Sequence, residues 1–216
     1  MITVRNIFLL TLLVLSFGCD AQQRKSGKVP EKPTLDYSKL DTATFAGGCF
    51  WCVEASFEQI LGVEEAVSGY AGGKEKNPTY SQVSAGKTGH TETVEIYFNP
   101  EIIDYNTLLD VFFTAHDPTQ LNRQGPDIGK QYRSSIFYHN EEQKRLSQEK
   151  IQALDASGEF KNKVVTELLP YTKFWIAEGY HQDYEKHNPR DSYIVNVSKP
   201  KIDKVAQKFE HLLKGN

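Results

Sequence analysis

Two cysteines stand three positions apart in "GGCFWCVEASFEQI", which begins at Gly47. Paired glycines before Cys49 let the chain turn sharply, and an amphipathic run starts directly behind it. Cys49 is therefore expected at or near the first residue of a helix. Free backbone N–H groups and the positive end of the helix dipole favour a thiolate there, and the thiolate is the nucleophilic form. The alternative is a small buried residue without chemistry. Phe50 and Trp51 serve either as core or as an apolar pocket for a small group, since aromatic faces suit sulfur and methyl contacts. Cys52 falls on the same helix face as Cys49. Cβ atoms at this spacing lie about 5–6 Å apart, whereas a disulfide needs about 3.5–4.5 Å. A Cys49–Cys52 bond is feasible if the first turn distorts, and it would be strained and reducible. Otherwise Cys52 is a packed small residue.

A carboxyl and two phenols complete the candidates. Glu92 shares a strand face with Val94, Ile96 and Phe98. A buried carboxyl there would hold its proton and act as a general acid; at the strand end it could equally face solvent. Tyr80 and Tyr132 lie in two long loops. Phenols can donate to a developing negative oxygen, although single tyrosines are more often packing.

The elements that must position these groups follow from periodicity. "TATFAGG" reads as a strand. Val53, Phe57, Ile60 and Leu61 form a helical stripe that Gly62 ends. "VEEAVSGYAGG" and "TETVEIYFNP" read as strands, with "KEKNPTYSQVSAGKTGH" a polar loop between them. "DYNTLLDVFFTAH" is an apolar-striped helix, followed by the loop "DPTQLNRQGPDIGKQY". "RSSIFYH" is a strand, and the charged helix after it has Asn140 as its cap. "KVVTELLPY" is a last strand, an aromatic irregular stretch follows, and "PKIDKVAQKFEHLL" is a closing helix. Uneven strand–helix alternation predicts an α+β fold. The expected architecture is a two-layer plait with a ferredoxin-like split βαβ core, long functional loops and an irregular C-terminal segment.

The N-terminus reads as a targeting segment. "IFLLTLLVLSF" is an apolar run of 11 residues behind one positive charge, too short to cross a membrane as a helix. Gly18 precedes Cys19, the pattern of a bacterial lipoprotein signal, although Ser16 and Phe17 replace more usual residues. Residues 1–19 are thus expected to be a signal with lipid on Cys19, residues 20–41 a flexible tether, and residues 42–216 the functional domain. The protein would be exported, periplasmic or held on a membrane by its lipid. With Cys19 so used, Cys49 and Cys52 are the domain's only thiols, which argues against a disulfide scaffold. A net charge of −3 argues against a nucleic-acid binder. No phosphate-binding glycine motif is present.

The segments "GCFWCVEASF", "GYAGG", "NPTY", "GHTETVEIYFNP", "AHDPTQLNRQGPDIGKQYRSSIFY" and "AEGYHQDY" resemble the A-type peptide methionine sulfoxide reductase family, in that family's order. The resemblance implies reduction of the S epimer of methionine sulfoxide, free or in proteins, without a cofactor or metal. It implies that Cys49 attacks sulfur and that Glu92 protonates the sulfoxide oxygen. Tyr80 and Tyr132 would hydrogen-bond that oxygen, Phe50 and Trp51 would hold the methyl group, and Asp127 would contact the substrate backbone. One departure stands out. Many members carry Gly at the position of Cys52 and a resolving cysteine near the C-terminus, and no cysteine follows Cys52 here. Either Cys52 resolves the Cys49 sulfenic acid, with a thioredoxin-like reductant recycling the pair, or an external thiol does. Two other readings compete: a general C-x-x-C thiol–disulfide oxidoreductase, and a metal site built from Cys49, Cys52, His90 and His116.

Overall fold

Thr42, Thr44 and Phe45 favour extended backbone, and they lie in β1 (Asp41–Gly47), the strand on which the site hangs. The computed structural model describes residues 35–215. β1 leads into α1 (Phe50–Glu58), β2 (Val63–Ala71), the short α2 (Tyr80–Ser84), β3 (Thr91–Phe98) and α3 (Tyr105–Ala115). A small hairpin, β4 (Arg123–Gln124) with β5 (Asp127–Ile128), precedes β6 (Ser134–Tyr138) and α4 (Glu141–Ser157). β7 (Glu167–Pro170), β8 (Trp175–Ile176), α5 (Tyr184–His187) and α6 (Lys199–Lys208) follow. The main sheet runs β7-β6-β1-β3-β2-β8. Every pairing in it is antiparallel except β6 with β7, so this is an α+β fold with a mixed sheet.

The sheet has two covered faces. On one, Phe45 stacks on Phe57 of α1 and Phe112 of α3, with ring centroids 5.7 and 4.8 Å away. All three rings are fully buried, each contributing about 1.5–3 kcal/mol by area. Val94, Ile96 and Phe98 of β3 join this core. On the other face a smaller cluster gathers Ala46, Ala71, Phe137 and Phe174. Gly69 admits Phe174 there, since a Cβ on it would lie 2.3 Å from the Phe174 ring. Glu95, also on that face, accepts hydrogen bonds from Tyr97 and Tyr171.

Several elements differ from the sequence expectation. The helix after Cys49 stops at Glu58 rather than Leu61. Ile60 leaves it to bridge Leu213 in extended pairing, and Leu61 is 47% exposed. The loop before β3 contains α2, begun by a capping box in which the Thr79 and Gln82 side chains bond each other's backbone. The loop before β6 contains the β4–β5 hairpin and a 3-10 turn, Lys130–Tyr132. The last expected strand shortens to β7. Within the stretch read as a tether, Tyr37–Lys39 form a turn, and the Tyr37 hydroxyl donates to Glu65 at 2.5 Å. Asn140 caps α4 by accepting from the Gln143 N–H at 2.8 Å. No helix among the described residues is long and apolar enough to cross a membrane. Cys19 and the expected signal lie outside the described residues.

Candidate active site

The turn out of β1 requires Gly48. Its φ is +97°, and a Cβ there would sit 2.6 Å from Gln124 Cβ. Gln124 cannot retreat freely, because its amide both accepts from and donates to the Asp117 backbone. The turn delivers Cys49 as the N-cap residue of α1. Cys49 makes no side-chain cap, so the first helical N–H groups look elsewhere. The Phe50 N–H donates to Glu92 Oε2 at 3.1 Å. The acid is thereby fixed beside the cysteine through the helix start itself.

Burial decides the protonation states. Glu92 is 2% exposed, and desolvation pushes its carboxyl up to about 8 against the opposing Phe50 N–H, with Asp127 adding to the rise. It therefore carries a proton at neutral pH. The expectation of a standing thiolate at Cys49 is corrected. Desolvation, then the neighbouring Cys52 and Glu92, push the Cys49 thiol well above its ordinary value. A helix end favours an anion by about 0.3–1 kcal/mol when exposed, and a dry setting among other acids outweighs that. Cys52 moves the other way, down to about 7. The hydrogen bond from Cys49 is the largest cause, and Lys201 and Ser198 assist against burial. Both thiols are free.

Above the cysteine lies a cavity of about 370 Å³ lined by Cys49, Phe50, Trp51, Tyr80, Glu92, Asp127 and Tyr132. The structure thus gathers around one cavity every residue singled out from the sequence for the first chemical step or for substrate contact. Tyr80 sits at the start of α2, where its backbone N–H donates to Glu178 Oε1 at 2.9 Å. Burial, with Glu92 and Cys49 nearby, raises its phenol to about 12, and Tyr132 is raised for similar reasons. Both stay protonated donors across the working range. Cys52 lies beneath the cavity, its thiol donating to Ser198 Oγ at 3.0 Å.

Sequence reasoning missed the wall opposite. Tyr184, Asp191 and Tyr193 also line the cavity. Trp51 stacks face to face on Tyr184 with centroids 3.7 Å apart, and its Nε1–H donates to His181 Nδ1 at 3.2 Å. His181 in turn packs on Phe50 and Tyr80. Tyr193 donates to Asp127 Oδ2 at 2.5 Å. The signal available was the density of tyrosine and histidine in "AEGYHQDY" and the tyrosine of "DSYIV". Nothing local says which of them turn inward.

The metal reading dissolves on geometry. His90 spends its ring nitrogens on Gly73 N–H and the Glu75 carbonyl, and His116 spends its own on the Phe112 carbonyl and Ser134. Among the described residues, the one group of acids, histidines or cysteines close enough to share an ion is Glu54, Glu58 and Asp183, which includes none of the four.

A thiol, a carboxyl that holds its proton and two phenols meet at one cavity, a set suited to a thiol-dependent reduction of a polar oxo group. The peptide methionine sulfoxide reductase family model matches residues 41–213. A peptide methionine sulfoxide reductase MsrA of Natronomonas pharaonis is 50% identical over 168 residues, covering 78% of this chain and 94% of the relative. One from Pasteurella multocida is 52% identical, covering 80% of this chain and 98% of the relative. Among solved structures, reduced Mxr1 from Saccharomyces cerevisiae superposes with a TM-score of 0.65 at 36% identity, covering 71% of this chain and 88% of that one. Methionine sulfoxide reductase A of Corynebacterium diphtheriae gives 0.63 at 34%, covering 70% and 76%. The chain belongs to the peptide methionine sulfoxide reductase family. It carries that family's activity, reduction of the S epimer of methionine sulfoxide to methionine.

Proposed function

We propose that Cys49 is the nucleophile of this reduction and Glu92 its general acid. The observation that carries the reading is the protonated Glu92 carboxyl held at the helix start beside Cys49, on the floor of the cavity. A sulfoxide oxygen leaves poorly until it is protonated. Glu92 gives it a proton while the Cys49 sulfur attacks the sulfoxide sulfur, and the thiol proton of Cys49 replaces the one Glu92 has given. Tyr80 and Tyr132 donate to the same oxygen as charge develops on it. The S-methyl group rests between Phe50 and Trp51, whose ring His181 and Tyr184 hold in place. Asp127, oriented by Tyr193, accepts from the substrate backbone. Oxygen passes to Cys49 as a sulfenic acid and methionine departs, so two electrons move from cysteine to substrate.

The epimer preference fits the rule that each sulfoxide epimer has its own enzyme. Cys52 resolves the sulfenic acid, and a thioredoxin-like reductant reopens the disulfide. Support comes from the position of Cys52 below Cys49 and its low thiol pKa. General C-x-x-C exchange would use neither Glu92 nor the two phenols. The sheet order β6-β1-β3-β2, with α1 and α3 on one face, supports reading the centre of the fold as a split βαβ plait. The N-terminal pattern supports export and a lipid on Cys19; an unmodified thiol at Cys19 in mass spectra of cell-derived protein would refute the anchor. The catalytic assignment is tested with Cys49→Ser and separated S and R methionine sulfoxide. The parent turns over the S epimer, and the variant should release no methionine while melting like the parent. Residual turnover would remove Cys49 from the role.

A further inference from the structure

Beneath the cavity, Cys52 faces the last helix. Ser198, which takes the Cys52 hydrogen bond at 3.0 Å, closes a π-helical turn, Ile194–Ser198, that runs into α6. Lys201 follows three positions on. Its residue is half-buried, its Nζ is buried, and that nitrogen has no hydrogen-bond partner among the described residues. A buried ammonium normally sits against an anion, because its desolvation is otherwise uncompensated. The ionisable groups whose fields reach Cys52 include Cys49, Lys201, Asp127, Glu92 and Tyr193. Glu92 is neutral at working pH, and Asp127 is taken by Tyr193. His116, also within reach of Lys201, is neutral, held near 4 by burial. Lys201 is the cation among these groups, and a thiolate forming at Cys52 gives its buried nitrogen an anion to face.

We propose that Lys201, with Ser198, positions and stabilises the Cys52 thiolate for the resolving step. This rests on the reading that Cys52 resolves the sulfenic acid. In that step Cys52 gives up its proton and attacks Cys49 Sγ. The S–S bond forms, the S–O bond of the sulfenic acid breaks, and the departing hydroxide takes a proton and leaves as water. Resting Cys52 is held down first by the hydrogen bond from Cys49. That thiol donor is gone once Cys49 carries oxygen. Lys201 and Ser198 are the supports that remain, and the Ser198 hydroxyl can turn to donate when Cys52 ionises.

The test uses the full enzyme with one equivalent of methionine S-sulfoxide. Acid quenching and alkylation then count released methionine and remaining thiols between about pH 6 and 9. In Lys201→Met the Cys52 thiol loses the ammonium that favours its anion, and its pKa should rise. Each pH unit of rise cuts its thiolate share at pH 7 by up to about tenfold, and the greater nucleophilicity of the more basic thiolate recovers part of that. Disulfide formation should slow at pH 7 by about three- to fourfold per unit of rise, its pH midpoint should move up, and the variant should catch up with and pass the parent at high pH. Lys201→Arg should keep the parent's profile, and Ser198→Ala should shift it in the same direction by less. Equal rates and equal pH profiles in the parent and Lys201→Met would overturn the role of Lys201. A parent that releases methionine but forms no Cys49–Cys52 bond would overturn the resolving reading itself, and the proposal with it.

Discussion

Replacing Glu92 with Gln should raise the stability of the protein progressively with pH while removing its activity. The parent carboxyl titrates near 8 when folded, against 4.5 as the reference value. A raised folded pKa means that the native state holds the proton more tightly than the unfolded chain does. The linked stability is fully present below about 4.5 and is lost as pH climbs to about 8. At pH 7 the loss is about 3 kcal/mol, from roughly 2.5 pH units at 1.36 kcal/mol each. Above pH 8 it levels off near 5 kcal/mol by the same arithmetic. Gln does not titrate, and its carbonyl can still accept the Phe50 N–H. Its amide hydrogens are buried at a cost of about 1–3 kcal/mol, but that cost does not vary with pH. The slope therefore decides. Urea denaturation of both proteins under reducing conditions at several pH values from 5 to 8 gives the difference directly. The difference in unfolding free energy, Gln minus Glu, should rise across this range by several kcal/mol and then flatten. A pH-independent difference would refute the buried, protonated carboxyl and the general-acid role built on it. The same variant should slow methionine release in single turnover by about 10²–10⁴-fold, and the parent's rate should fall as pH passes 8.

Gly48→Ala should destabilise the domain by about 1–3 kcal/mol through its positive φ, with more added by the Gln124 clash; thermal melts check this. Methionine release should fall with it, because the Cys49–Glu92 spacing depends on that turn. The double variant Tyr80→Phe with Tyr132→Phe should lose about 10²–10³-fold in single turnover, each single variant losing less because the other phenol remains. An unchanged rate in the double variant would exclude the phenols as donors to the oxygen.

The site was legible where its cause is local. Paired glycines before a cysteine announce a turn, and period-two alternation placed Glu92 on an apolar face, where the structure buries it. The thiol's protonation was not legible, because it depends on how deeply Cys49 is buried, and that depends on Tyr184 and Tyr193, which come from a distant part of the chain to close the cavity with Trp51. Ile60 shows the same limit in the fold. Its spacing continues the helical stripe of α1, yet pairing with Leu213 draws it into extended backbone. α2 escaped notice because five residues are too few for periodicity to show, although Thr79 and Gln82 spell a capping box.

The contact of Trp51 with His181 and Tyr184 joins segments some 130 residues apart in the chain. Cys49, Glu92 and Tyr80 belong to the first half of the domain, whereas the far wall is a run of short turns from Gly179 to Ser198 that adds no strand to the sheet. Opening that run exposes rings and a few hydrogen bonds but leaves β1, β3 and β6 paired, so its opening free energy lies below that of global unfolding. The protein accordingly has two stabilities, one for the sheet and one for the enclosure of the thiols. The second sets how often Cys49 meets bulk solvent, and so how often an oxidant or a foreign thiol reaches it uninvited. A substrate bridging Asp127 and Trp51 would tie the wall shut, so amide exchange in residues 179–198 should slow on binding while exchange in the central strands stays unchanged.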